Sequence, residues 1–171
     1  MPALTLRTVS SSELPIPGFD PWFADPGDPA VTVMTDFRER ASVTVPALAR
    51  IDVALEHMKH AGVRSAFAVD EQRHVVGLIT SYDITGDAPV RHMEHHRIRR
   101  HEVLVRDLMQ DVAHWRVVEM RDIERATVES VARLFDETRL THIPVVDTDE
   151  RGARRLRGML SGARVRRLLS R

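Results

Sequence analysis

The chain has 171 residues, room for one ordinary domain or two small repeats. With 43% hydrophobic and 29% charged residues it can bury a core, and with no cysteine it forms no disulfide, thiolate metal site or cysteine nucleophile. No run approaches the roughly 18 apolar residues of a membrane helix, and MPALTLRTVSSSELP lacks the basic start and apolar run of a signal peptide, so a cytoplasmic location is expected.

Taken in chain order, residues 1–30 carry Pro15, Pro17, Pro21, Pro26 and Pro29 with Gly18 and Gly27, which predicts an extended, turn-rich arm. Phe19, Trp22 and Phe23 would be costly in water as a group, so the arm is expected to lie on the body or on a neighbouring subunit; a free, fraying arm is the alternative. An extended run at Ser42–Val45 precedes a helix whose Ala54, Leu55, Met58 and Ala61 form one apolar stripe, closed by Gly62. Two β-rich runs follow, Ser65–Val69 and His74–Thr80. The next helix is short, because Gly86 and Pro89 interrupt it. Asp87 and Pro89 are start signals for a linker helix, and VRDLM (Val105–Met109) leads on to an extended run at Arg116–Met120. A second striped helix carries Val131, Leu134, Phe135 and Thr138. Strands at His142–Val146 and Leu156–Ser161 follow, then a last helix with Val165, Leu168 and Leu169 on one face.

The second half repeats the first. Ala66–Asp70 (AFAVD) lies over Ile143–Asp147 (IPVVD) at an offset of 77 residues, which also puts Val63 on Leu140, Met58 on Phe135 and Ala54 on Val131. Gly77–Asp83 (GLITSYD) meets Gly158–Arg164 (GMLSGAR) once four extra residues are allowed in the polar, turn-like stretch from Asp147 to Arg157. Two β-α-β-β-α units of this kind resemble a tandem CBS-domain pair, or Bateman module, from about Val31 to Leu169. Ala54-x-x-x-Met58 with Gly62-Val63, the Ile143–Asp147 strand and the Gly77–Asp83 segment carry the resemblance. Phe67, where the second copy has Pro144, and Arg164, where the first has Asp83, depart from it. The resemblance implies an α/β (α+β) fold in which the two repeats pack about a pseudo-twofold. The expected organisation is an arm (1–30), repeat one (31–86), a linker helix (87–104) and repeat two (105–171).

At Thr80-Ser81-Tyr82-Asp83 a buried strand gives way to a helix. The unpaired amides of its first turn and the hydroxyls of Thr80 and Ser81 suit a phosphate, and Asp83 suits the two hydroxyls of a ribose. The alternative is a plain helix cap. In the CBS family this pattern is associated with adenine nucleotides, with the base against apolar strand residues, here Val45 and Ala66. The ligand so implied is AMP, ADP, ATP or another adenosyl compound. In copy two, Ser161 can still meet a phosphate but Arg164 accepts nothing from a diol. That second cleft, with Ile143, is expected to be empty or to hold an anion paired with Arg164; Arg164 reaching across the pseudo-twofold to phosphates in the first cleft is another alternative, and a solvated arginine is the bland reading.

The linker offers His92 and His96 one turn apart, a spacing that can pinch a metal but lacks a third ligand. A solvated or interface helix is the reading preferred, so no metal is expected. Residues 1–36 are acidic apart from Arg7, whereas residues 151–171 carry eight arginines and no acid. Such asymmetry suits either a nucleic-acid tail or two complementary ends of one fold, and the lack of interleaved aromatics argues against nucleic acid. No phosphate loop, dinucleotide fingerprint or His-Glu-x-x-His is present, so no enzyme activity is expected. The resulting expectation is a stand-alone regulatory module, homodimeric through its helices, that signals to an unknown partner. A ligand-free structural or dimerisation module is the alternative, and an Arg-rich nucleic-acid-binding protein a weaker one.

Overall fold

The computed structural model describes residues 21–170. In chain order the elements are β1 (Thr35–Asp36), β2 (Thr44–Pro46), α1 (Ile51–His60), β3 (Ser65–Val69), β4 (Val75–Thr80), α2 (Ser81–Thr85), α3 (Ala88–His96) and α4 (Val105–Leu108). Then come β5 (Gln110–Asp111), β6 (Val118–Glu119), α5 (Met120–Ile123), α6 (Val128–Thr138), β7 (His142–Thr148), β8 (Arg154–Ser161) and α7 (Gly162–Leu169). The fold is mixed α and β, as expected. The helices α1 and α6 occupy matching places in the two halves, each burying three residues at i, i+3 and i+7: Ile51, Ala54 and Met58 in one, Val128, Val131 and Phe135 in the other. Full burial of a side chain such as Met58 or Phe135 is worth roughly 1.5–3 kcal/mol.

Each sheet takes one strand from the other half. One sheet runs β2-β3-β4-β5 and the other β1-β8-β7-β6. Thus β1, which leads into the first repeat, pairs antiparallel with Met159 and Gly158 of β8, while β5, which leads into the second, pairs with Gly77 and Leu78 of β4. The segments before these strands are exchanged as well. Ala24, Ala30, Val33 and Met34 sit in the core of the second half, and Val103 and Val105 in that of the first. A bridge between Pro29 and Thr127 is mirrored by one between Leu104 and Arg50. From Ala24 onward the arm therefore lies on the body, with Ala24 N–H donating to the Leu168 carbonyl (2.8 Å). Trp22 nevertheless stays in water, and Phe19 lies outside the described residues.

Gly77 and Gly158 make this exchange possible. A Cβ on Gly77 would come within 2.9 Å of the Gln110 carbonyl oxygen and 2.5 Å of Met109 Sδ; on Gly158 it would meet the Thr35 carbonyl oxygen at 2.6 Å and Met34 Sδ at 2.9 Å. The two crossing strands thus approach their hosts in the same way.

The four residues that lengthen copy two do not enlarge its turn. Asp70–His74 and Asp149–Ala153 close with the same bonds. Asp70 N–H donates to His74 O (3.0 Å) and Asp149 N–H to Ala153 O (3.0 Å), and both aspartates accept from the amide four residues on. The insertion instead makes β7 and β8 each two residues longer than β3 and β4, seven and eight against five and six. The Phe67/Pro144 difference also has a physical consequence. Phe67 N–H donates to the Val43 carbonyl at 2.9 Å; Pro144 has no N–H to give. Accordingly β2 pairs three residues with β3, but β6 pairs only Val118 and Glu119 with Val145 and Val146.

The halves meet along a small apolar cluster of Phe67, Leu78 and Met159, flanked by Phe37, Val75, Trp115 and Leu156. Phe37 and Trp115 both pack on Phe67, with ring centroids 5.4 and 5.9 Å away. Among the described residues no helix is long and apolar enough to cross a membrane.

Candidate functional site

At one side of this seam a cleft of about 510 Å³ opens between the halves. Its floor is apolar, with Val43, Val63, Ala66 and Phe67 from the first half and Met159 from the second. Its polar groups come from both. Ser42, Arg64 and Ser65 stand at the edges of β2 and β3, and Arg40 lies on the loop after β1. His142, Ser161, Arg164 and Arg167 belong to β7, the end of β8 and α7. Pairing aligns the parts, because Ser65 lies opposite Thr80 in one sheet and His142 opposite Ser161 in the other. Among the described residues no carboxylate lines the cleft.

The twofold relation regroups the residues singled out from the sequence. Ala66 faces this cleft together with Ser161 and Arg164 of the other repeat, whereas Thr80, Ser81 and Asp83 do not line it. Val45 and Ile143 are both 2% exposed and belong to the two cores; in the first half it is Val43 that reaches the cleft.

Thr80 and Asp83 are bonded to each other. Asp83 Oδ2 accepts from Thr80 N–H and from Thr80 Oγ1 (both 2.7 Å), and Asp83 N–H donates to Thr80 Oγ1 (3.2 Å). This capping box closes the start of α2. Ser81 N–H donates to the Arg64 carbonyl (2.8 Å), so of the amides at the head of this short helix, those of Ser81 and Asp83 are paired within the fold. Asp83 also lies within electrostatic reach of His142. Burial lowers the pKa of His142 below its ordinary value, and the Asp83 carboxylate partly opposes that shift.

Copy two lacks the box. Arg164 replaces the acid, and Ser161 makes no side-chain cap bond at the start of α7. Arg164 Nε donates to the Val33 carbonyl (3.3 Å), which braces its guanidinium on the exchanged N-terminal segment. The mouth of this cleft therefore carries a guanidinium where the first repeat has an acid, beside a serine hydroxyl that no capping interaction occupies.

Part of the basic C-terminal region is engaged within the fold. Arg157 pairs with Asp36, joining β8 to β1, and Arg154 lies 3.6 Å from Glu119, while Arg164 and Arg167 line the cleft. The acidic and basic ends of the chain thus meet at Asp36 and Arg157. On α3, His92 stacks on His96 (4.3 Å) and its Nε2 stands 3.7 Å from Asp107 Oδ2. No group of three metal-ligating side chains occurs among the described residues.

Arg64, Arg167, Arg40, Ser42, Ser65 and His142 were not singled out from the sequence. The signal for two of them is the repeat itself, since Ser65 and His142 occupy equivalent strand starts. The crossing, in which the helix mouth of one copy faces the strand starts of the other, is foreshadowed in the sequence only as an alternative for Arg164.

The CBS domain model matches residues 32–87 and 124–171, more than half of the chain. The protein belongs to the CBS-domain family, as a tandem pair. Among solved structures it is similar to the CBS-pair protein CBSX2 from Arabidopsis thaliana, at 25% identity over 82% of this chain and 93% of that one (TM-score 0.53). A structure of CBSX2 in complex with AMP is 26% identical over 82% of this chain and 95% of that one (TM-score 0.53). An uncharacterized conserved protein from Pyrococcus horikoshii shares the fold at 19% identity, over 86% and 96% of the two chains (TM-score 0.59). No curated protein matches the sequence.

Proposed function

We propose that this CBS pair is a regulatory, non-catalytic module that binds an adenine nucleotide or adenosyl ligand between its two repeats and passes the event on by a change in packing or assembly. The observation that carries the reading is the cleft itself, an apolar slot whose rim supplies guanidinium and hydroxyl donors from both halves. Val43, Val63 and Ala66 offer the base an apolar bed, and Ser161 with Arg64 and Arg164 offers the phosphate its donors. The AMP complex of the similar CBSX2 structure supports the ligand class.

A ligand touching both halves favours whichever relative packing it fits better, and the shift cannot exceed its differential affinity for the two arrangements. The output passes to a second copy or to another protein. Val53 on α1, Tyr82 on α2 and Val90 on α3 are more than half exposed, which supports a homodimer formed through these helices. Thermal denaturation with added AMP, ATP or S-adenosylmethionine tests the reading. A ligand at 100 times its dissociation constant adds about 2.7 kcal/mol of stability. A melting curve that none of the three moves leaves a purely structural pair of repeats.

A further inference from the structure

We infer that His142 is a phosphate-binding residue of the cleft that takes up a proton as the ligand enters, so that the module holds its nucleotide more tightly as pH falls. This rests on the nucleotide reading above and adds the regulation of that same site. His142 opens β7, lines the cleft and stands directly opposite Ser161 of β8. Opposite residues of an antiparallel pair project from the same face, with Cβ atoms about 4.5–5.5 Å apart. A phosphate on the Ser161 hydroxyl therefore comes within ion-pair reach of the imidazole. The Nδ1 of His142 lies 3.2 Å from Thr141 Oγ1, so Nε2 is the ring nitrogen left for a ligand. In the first repeat the same position is Ser65, opposite Thr80, and a serine hydroxyl has no charge to change. The titrating group is thus a feature of the second repeat.

Charged groups from several parts of the fold face this ring. Asp83, at the head of α2, brings a carboxylate within electrostatic reach, and that carboxylate is already committed to the capping box with Thr80. Arg64 before β3, Arg164 and Arg167 on α7, and Arg40 on the loop after β1 line the same cleft. Arg40 and Arg164 are themselves engaged within the fold, Arg164 on the Val33 carbonyl. The direct neighbour on β8, Ser161, carries no charge. Without ligand, burial holds the imidazole towards its neutral form against the pull of Asp83. An entering phosphate dianion tips that balance, because a negative charge within about 4–6 Å favours the protonated ring. The proton comes from solvent and ends on the imidazole, which then donates a charge-assisted hydrogen bond to a phosphate oxygen. The pKa of His142 is thus higher in the complex than in the free protein. Between those two values binding consumes up to one proton, and affinity rises as pH falls by at most about tenfold per pH unit. Adenosine, which has no phosphate, gains nothing.

Isothermal titration of the full chain with AMP, ATP and adenosine, in buffers of different ionisation enthalpy, counts the protons taken up. A phosphomonoester itself titrates near about pH 6, so the decisive quantity is the difference between the parent chain and His142→Asn. At about pH 6.5 the parent chain is expected to take up a measurable fraction of a proton more than the variant on binding AMP. Between about pH 7.5 and about pH 6 its AMP affinity should rise at least about threefold relative to that of His142→Asn. Adenosine should bring no proton uptake in either chain. If His142→Asn fails to fold, the imidazole proton resonances of the parent chain, followed against pH with and without AMP, report the same event. One histidine then titrates at higher pH in the complex. Equal proton counts and pH profiles in the two chains, no histidine moved by AMP, or as much uptake with adenosine as with AMP overturns the proton linkage and leaves the nucleotide reading standing. Silence from both AMP and ATP across this range removes the nucleotide, and this inference with it.

Discussion

Two arginines hold left-handed backbone where the equivalent residue in the other copy is glycine. Arg139 ends α6 at φ 59°, in the place where Gly62 (φ 66°) follows α1, and Arg73 takes φ 66° in the hairpin position held by Gly152 (φ 79°). For a residue with a Cβ this region costs roughly 1–2 kcal/mol. Arg139→Gly is therefore expected to raise stability by about 0.5–1 kcal/mol, once the greater freedom of glycine in the unfolded chain is set against the relieved strain. Denaturant unfolding of the variant measures this, and a loss of stability would refute it. At Asp83 the expectation has the opposite sign. Asp83→Ala removes the acceptor of two bonds from Thr80, so it should cost about 0.5–2 kcal/mol with no ligand present. A binding role for Asp83 would add a loss of affinity to that cost, and titration separates the two.

His142 gives the fold a pH dependence whose sign follows from its surroundings. Burial lowers its folded-state pKa, so its contribution to stability is fully present above the ordinary histidine value and is lost as pH falls through the lowered one. The stability of His142→Asn relative to the parent chain should therefore improve as pH drops from about 7.5 towards 5. Urea midpoints of the two proteins at matched pH values test this, and a constant difference would contradict it.

At the scale of elements, periodicity and the repeat exposed most of the frame. Ser65–Val69 matches β3 residue for residue, and the helix stripes correctly mark Ala54, Met58, Val131 and Phe135 as core. The exchanged strands β1 and β5 were not legible, because two-residue strands carry no period and their partners lie far along the chain. Nor could the sequence show where the four extra residues go; polar side chains on an exposed hairpin read as turn, whereas the shared closure at Asp70 and Asp149 puts the extra length in the strands. The cleft suffered most from this blindness. Its walls come from different repeats, and chain order alone does not bring Ala66 to Ser161. The crossing itself is testable. Gly77→Ala and Gly158→Ala each drive a methyl group against a carbonyl oxygen of the incoming strand, and each should cost about 1–3 kcal/mol. Unchanged melting of both variants would mean that β5 and β1 are not held as described.

For the whole molecule, divergence between two copies of one unit is the controlling fact. The first repeat keeps an acid that locks its helix start into a capping box; the second substitutes a base and leaves Ser161 uncapped beside it. One strand-to-helix junction is thus closed on itself, and the other contributes to a cleft floored by the opposite half. The membership of the chain in the CBS family and its likeness to an AMP-bound structure suit a module read through this cleft. The most direct test is a crystal structure grown with saturating ATP. The account predicts phosphates beside Arg64 and Arg164 and the base against Val43 and Ala66. Nucleotide bound elsewhere, with this cleft holding only solvent, would contradict it.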